Sequence, residues 1–192
     1  MSIVPLIPII LLIHGLDSDH SAWDDFINYV DQDSEFCYNG NWTENWMKII
    51  PPNSMEVNKS CSSNSSIQEM MIYTMDFSSS NQLSFRQQGE EVRKVVEKIT
   101  DKHGRNQPII LIGHSMGGLA ARSYIMENPS NPVTGLITIG TPHGGSYLGY
   151  IKDWINEKEA SSIDELEKIM TSMASMFKEI DLQSPALDYL KP

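Results

Sequence analysis

The feature that most constrains this chain is an all-apolar run, Ile109-Ile110-Leu111-Ile112, that passes with no linker into Gly113-His114-Ser115-Met116-Gly117 and then into a helix-forming stretch. Opened by Pro108, the run reads as a strand over Ile109 to Gly113, of the kind buried on both faces in a parallel sheet. Joining it directly to a helix over Met116 to Glu127 forces a tight turn at Ser115, and glycine on either side removes the collisions that a side chain would make there. The serine hydroxyl is then held out at the positive end of a helix, where the N–H of Met116 can face a developing negative charge. Taken alone, the pentapeptide is better read as a pair of glycines that merely let a helix pack closely on a sheet. Its flanking strand and helix are the context in which G-x-S-x-G marks a nucleophilic serine.

The rest of the chain supplies a sheet for that turn to sit on. The only long apolar run is Ile3 to Ile13, too short for a bilayer and without the basic start or cleavage site of a signal peptide. Pro5 and Pro8 confine its strand to about Ile9 to Ile13. A short helix is expected over Ala22 to Val30, with Trp23, Phe26, Ile27 and Val30 on one face. Met70 to Met75 is a second strand, and Ser84-Phe85-Arg86-Gln87 is a capping box ahead of a stripe, Val92, Val95, Val96 and Ile99, that stops at Gly104. Val133 to Ile139 reads as another buried strand. Strands alternating with helices predict an α/β fold, a mostly parallel sheet flanked by helices.

Two segments stand apart. Residues 31–66 are rich in Asn and Ser and read as a polar, irregular insertion. From Gly144 on, the periodicity is helical: Ser162-Ile163-Asp164-Glu165 is a second capping box, and Ile163, Leu166, Met170, Met173, Phe177 and Ile180 recur as one stripe. A helical cap over 144–192 is therefore expected, with no strand after Ile139, inside a single domain spanning 1–192. The methionines of the 163–180 helix would suit a lid that touches a lipid interface transiently, although a regular stripe is more often core. With 14 Lys+Arg against 25 Asp+Glu the net charge is −11, which repels polyanions and argues against nucleic acid as a partner.

Two further motifs change the weight of the first. His14-Gly15-Leu16 follows the first strand, where the Leu16 N–H can serve as a second oxyanion donor, and Thr141-Pro142-His143-Gly144-Gly145-Ser146 follows the last. The three segments together, Ile10 to Leu16, Ile112 to Arg122 and Ile137 to Ser146, resemble bacterial triacylglycerol lipases of the α/β-hydrolase superfamily and the lipase-like proteins grouped with GPI-inositol deacylases. The resemblance implies an α/β-hydrolase fold and a carboxylic ester hydrolase, a lipase or esterase, with a small-molecule or lipid ester as substrate. It implies Ser115 as nucleophile and Leu16 and Met116 as oxyanion donors, supported by His14, Gly15, Gly113, His114 and Gly117, and calls for no cofactor and no metal. Thioesterase or acyltransferase chemistry on the same serine stays open, because the acyl-enzyme step is common to all.

The triad cannot be completed in the usual chain order of Ser, then Asp or Glu, then His. Of five histidines only His143 follows Ser115, and the only acid between them is Glu127, at the far end of the elbow helix. Three explanations compete: a chain that stops before its last strands, with little or no activity of its own; His143 as base, oriented by Asp153, Asp164, Asp181 or Asp188; or a scaffold that binds without catalysing. The absence of an expected strand after Ile139 fits the first. In the resembling lipases the histidine of the Thr-Pro-His motif is not the triad member, which favours reading His143 as a loop histidine that shapes its turn. His20 and His103 read as solvent-facing.

Cys37 and Cys61 bracket part of the polar stretch, where a disulfide would close a loop with little core of its own; free thiols fit as well. The same stretch holds the N-x-[ST] triplets at Asn41, Asn58 and Asn64, which arise readily by chance in such a composition. With no signal peptide in view the expected location is cytoplasmic, and extracellular if a longer native N-terminus is processed.

Overall fold

The computed structural model describes residues 6–33, 35–43, 49–50, 69–78 and 83–145. The elements are, in chain order, β1 (Ile9–Ile13), a 3-10 turn (His20–Trp23), α1 (Asp24–Val30), β2 (Phe36–Trp42), β3 (Ile49–Ile50), β4 (Met70–Met75), α2 (Phe85–His103), β5 (Ile109–His114), α3 (Met116–Glu127) and β6 (Val133–Ile139). The sheet runs β3-β2-β4-β1-β5-β6. Among the described strands only the β2–β3 pair is antiparallel.

The apolar runs form strands because both faces of the sheet are covered, so every side chain of β1 finds a dry neighbour. Ile9, Leu11 and Ile13 point to one face, where they pack with Val92, Val95, Val96 and Ile99 of α2 and with Ala120, Ala121 and Tyr124 of α3. Ile10 and Leu12 point to the other face, with Trp23, Ile27, Ile72 and Ile112. The strand period of two thus divides one continuous apolar run between two cores. The predicted capping box of α2 is present, the Ser84 hydroxyl accepting from the Gln87 N–H while the Gln87 side chain accepts from the Ser84 N–H.

Two expectations need correction. Within the segment read as an irregular insertion, residues 36–42 form β2, parallel to β4. Its alternation is broken between Tyr38 and Asn41 by a register shift, with Gly40 at φ 111°, which disguises the strand as a polar loop. Asn41 and Thr74 are buried there without loss, because each hydrogen-bonds the other and Tyr38 or Asp76 completes the set. β6, expected to be buried, is not: Ile137 and Ile139 are about half exposed, since among the described residues only β5 flanks it. Cys37 is buried and disulfide-bonded. Cys61, the stripe at 163–180 and the expected cap beyond Gly145 lie outside the described residues.

Leu11, wholly buried at the centre of the larger core, is the sharpest test of this packing. Leu11→Ala should lower stability by about 2–5 kcal/mol in urea unfolding followed by circular dichroism. Tyr29→Ala, on the exposed side of α1, should stay within about 0.5 kcal/mol of the unaltered protein.

Candidate active site

The chain leaving β1 turns to the face that carries α1, and the chain leaving β5 turns to the opposite face, which carries α2 and α3. Neighbouring strands whose connections part in this way leave a crevice at their carboxyl ends, the usual ligand position in open α/β sheets. Gly15 and Ser115 meet there: a Cβ added to Gly15 would lie 3.2 Å from the Ser115 Cβ. Two of the three sequence motifs, far apart in the chain, are thereby brought together.

Ser115 sits between β5 and α3 with φ 51° and ψ −120°. A non-glycine residue held there costs of order ~1–3 kcal/mol, and its surroundings must offset that strain. They do so through the backbone: the Ser115 N–H donates to the Ile139 carbonyl at 2.8 Å, and its own carbonyl accepts from the Gly118 N–H at 3.1 Å and the Thr141 hydroxyl at 2.9 Å. The Thr141 contact is a structural role for the Thr-Pro-His motif that spacing alone does not disclose. No side-chain cap is formed, so the Ser115 hydroxyl stays free of the helix it precedes, and it has no hydrogen bond among the described residues.

Glycine is required at Gly117 because α3 starts against the end of β1. A Cβ there would run into the carbonyl oxygens of His14 and Ile13. At Gly113 it would lie 2.5 Å from the backbone of Gly118. Met116, as the first residue of α3, has an N–H with no acceptor inside the helix, and the Leu16 N–H likewise has no hydrogen-bond acceptor among the described residues. Two unpaired backbone donors therefore flank the crevice.

The histidines separate into distinct roles. His14 is 1% exposed, its Nδ1 donating to the Gly15 carbonyl at 2.8 Å and its Nε2 accepting from the Phe77 N–H at 3.3 Å. Burial pushes its pKa below the ordinary imidazole value, outweighing its hydrogen bond to Gly15 and the carboxylates of Asp76 and Asp19. His114 is exposed. His143 is exposed as well; its Nε2 lies 3.1 Å from the Thr138 hydroxyl, its N–H donates to the Thr141 carbonyl, and no hydrogen bond joins it to Ser115. Glu127 pairs with Arg86 across the starts and ends of α2 and α3. Asp153, Asp164, Asp181 and Asp188 lie outside the described residues.

His20 and His103, expected to face solvent, are both engaged. His103 Nε2 meets the Tyr73 hydroxyl at 2.8 Å. Asp76 Oδ1 accepts from the His20 N–H at 2.7 Å, while Oδ2 lies 3.0 Å from His20 Nδ1 and accepts from the Asn41 amide at 2.6 Å. This arrangement ties the loop after β1 to the ends of β2 and β4. No sequence signal marks it, because the partners are 35 to 56 residues apart. Beside the His143 turn, a groove of about 470 Å³ runs along α3, lined by Phe85, Leu119, Met126 and Pro142 among others. Among the described residues no group of His, Cys, Asp and Glu stands together in a way that could hold a metal ion.

Over residues 9–184 the chain matches the palmitoyl protein thioesterase family. No curated protein matches its sequence. Among solved structures it is similar to a gene product of Listeria innocua, with a TM-score of 0.52 and 21% identity over 73% of this chain and 53% of that one. It is also similar to phospholipase PlaB of Legionella pneumophila, with a TM-score of 0.57 and 15% identity over 96% of this chain and 32% of that one. The chain thus spans about half the length of the first and a third of the second. At such identities the likeness is one of fold; the family match, together with the mostly parallel sheet flanked by helices, makes that fold the α/β-hydrolase one, as the three motifs led us to expect.

Native His14 is held neutral, whereas the same imidazole in the unfolded chain takes up a proton near pH 6.5. The unfolded state then binds more protons as pH falls, so this contribution to stability is present above about pH 6.5 and is lost on acidification below it. Thermal unfolding followed between pH 7.5 and 5 should show the midpoint falling with pH, and His14→Gln should flatten that slope.

Proposed function

The chain belongs to the palmitoyl protein thioesterase family, and on that footing we propose that it is a serine hydrolase of acyl esters and thioesters, working through an acyl-enzyme on Ser115. The observation that carries the reading is the elbow itself: an uncapped serine in a strained conformation, at a helix start, in a crevice bordered by the unpaired N–H groups of Met116 and Leu16. Strain of this kind persists only where the surrounding structure imposes it, and it clusters at sites of chemistry.

In the proposed reaction the Ser115 oxygen attacks the acyl carbonyl while its proton passes to a base. The Leu16 and Met116 N–H groups hold the oxyanion of the tetrahedral intermediate. The bond to the leaving group breaks, and the alcohol or thiol departs with that proton. Water then attacks the acyl-enzyme, releasing the acid and restoring the serine. His143 as it stands is turned to Thr138, its Nε2 3.1 Å from that hydroxyl, and makes no hydrogen bond to Ser115.

A fluorophosphonate probe tests the nucleophile directly. Stoichiometric labelling of Ser115, located by mass spectrometry and abolished in Ser115→Ala, is the expected result. The same variant should lower the hydrolysis of palmitoyl thioester and p-nitrophenyl ester by at least about 10³-fold. An unlabelled serine in the folded protein would leave the non-catalytic scaffold as the better reading.

A further inference from the structure

The Gly15 carbonyl and the Leu16 N–H belong to one peptide group, and in a trans peptide they point in opposite directions. Whatever holds the carbonyl therefore aims the N–H. His14 is the holder, with Nδ1 2.8 Å from the Gly15 oxygen and Nε2 3.3 Å from the Phe77 nitrogen. A carbonyl only accepts, so Nδ1 carries the proton; a backbone N–H only donates, so Nε2 carries none. One state satisfies both bonds, the neutral imidazole protonated on Nδ1. The opposite tautomer would set lone pair against lone pair at Gly15 and proton against proton at Phe77. Rotation is blocked as well, because the ring is buried edge-on against the Phe77 ring at 5.0 Å.

From this geometry we infer that His14 is a positioning residue for the oxyanion site: it clamps the Gly15–Leu16 peptide so that the Leu16 N–H faces Ser115. By donating to the carbonyl it also polarises the peptide and strengthens that N–H as a donor. The inference rests on the nucleophile reading of Ser115 and deepens it. It extends the site to Phe77, in the connection between β4 and α2, whose N–H selects the tautomer that makes the clamp.

Asparagine and glutamine separate the two bonds, since an Asn amide can replace the Nδ1 donor and a Gln amide can replace the Nε2 acceptor. The rate of Ser115 phosphonylation would be measured on the full chain for the unaltered protein, His14→Asn and His14→Gln, with folding checked by circular dichroism. His14→Asn should stay within about threefold of the unaltered protein. His14→Gln should lose about tenfold or more in the bond-forming step, less than the 10²–10³-fold that follows outright removal of an oxyanion donor. Equal losses in the two variants, or none in either, would overturn the inference while leaving the nucleophile reading intact. An unreactive serine in the unaltered protein would overturn both. Independently of folding in the variants, ¹⁵N imidazole spectra of the unaltered chain at neutral pH should show His14 as the Nδ1–H tautomer; the Nε2–H form or the imidazolium would refute the clamp.

Discussion

The start of α3 lies so close to the end of β1 that no carbon atom can be placed between them at Gly117 without meeting the carbonyl oxygens of Ile13 and His14. Backbone contact of this kind, made across two adjacent parallel strands, fixes where the helix can begin and therefore where Ser115 must be. It brings the positive end of α3 to the carboxyl edge of the sheet, where no side-chain cap competes for its free N–H groups. The strain at Ser115 is the local consequence. It is sustained by the β6 end and by Thr141, whose contacts with the Ser115 backbone leave the hydroxyl free.

The opposite wall of the crevice is held by polar groups rather than by close packing. His14 is buried among apolar neighbours, yet both ring nitrogens are satisfied, so the burial that depresses its basicity also locks its hydrogen-bonding direction. One step further along the loop, His20 is anchored to Asp76, and Asp76 to Asn41 and through it to Thr74 and Tyr38. A loop without regular structure is thus tied to β2 and β4 by charge-assisted bonds. Both anchors tie down the loop after β1, beside the elbow, as the proposed two-donor oxyanion site requires.

Much of this was legible in the residues, and the reason is range. A buried parallel strand, a capping box, an amphipathic stripe and a strand-to-helix glycine turn are each specified within a few neighbouring residues, so β1, α2, β5, α3 and the elbow could be read directly. β2 could not, because its bulge near Gly40 interrupts the alternation and its buried Asn41 looks polar until Thr74 and Asp76 are in place. The exposure of β6 was equally hidden, since an apolar strand carries no mark of its position in the sheet. His20 and His103 misled for the same reason, their partners Asp76 and Tyr73 being supplied by a strand distant in sequence.

The sequence by itself determined the α/β architecture and the serine that the strand-to-helix turn presents, because local sterics and hydrophobic periodicity decide those. Only the tertiary structure decided which of the five histidines were free, paired or buried, and that His143 turns to Thr138 rather than to Ser115. It also decided the tautomer of His14, which depends on a carbonyl one residue away and an N–H 63 residues away arriving on opposite sides of one ring. Hydrogen-bond direction is a property of the assembled neighbours, and no residue carries it alone.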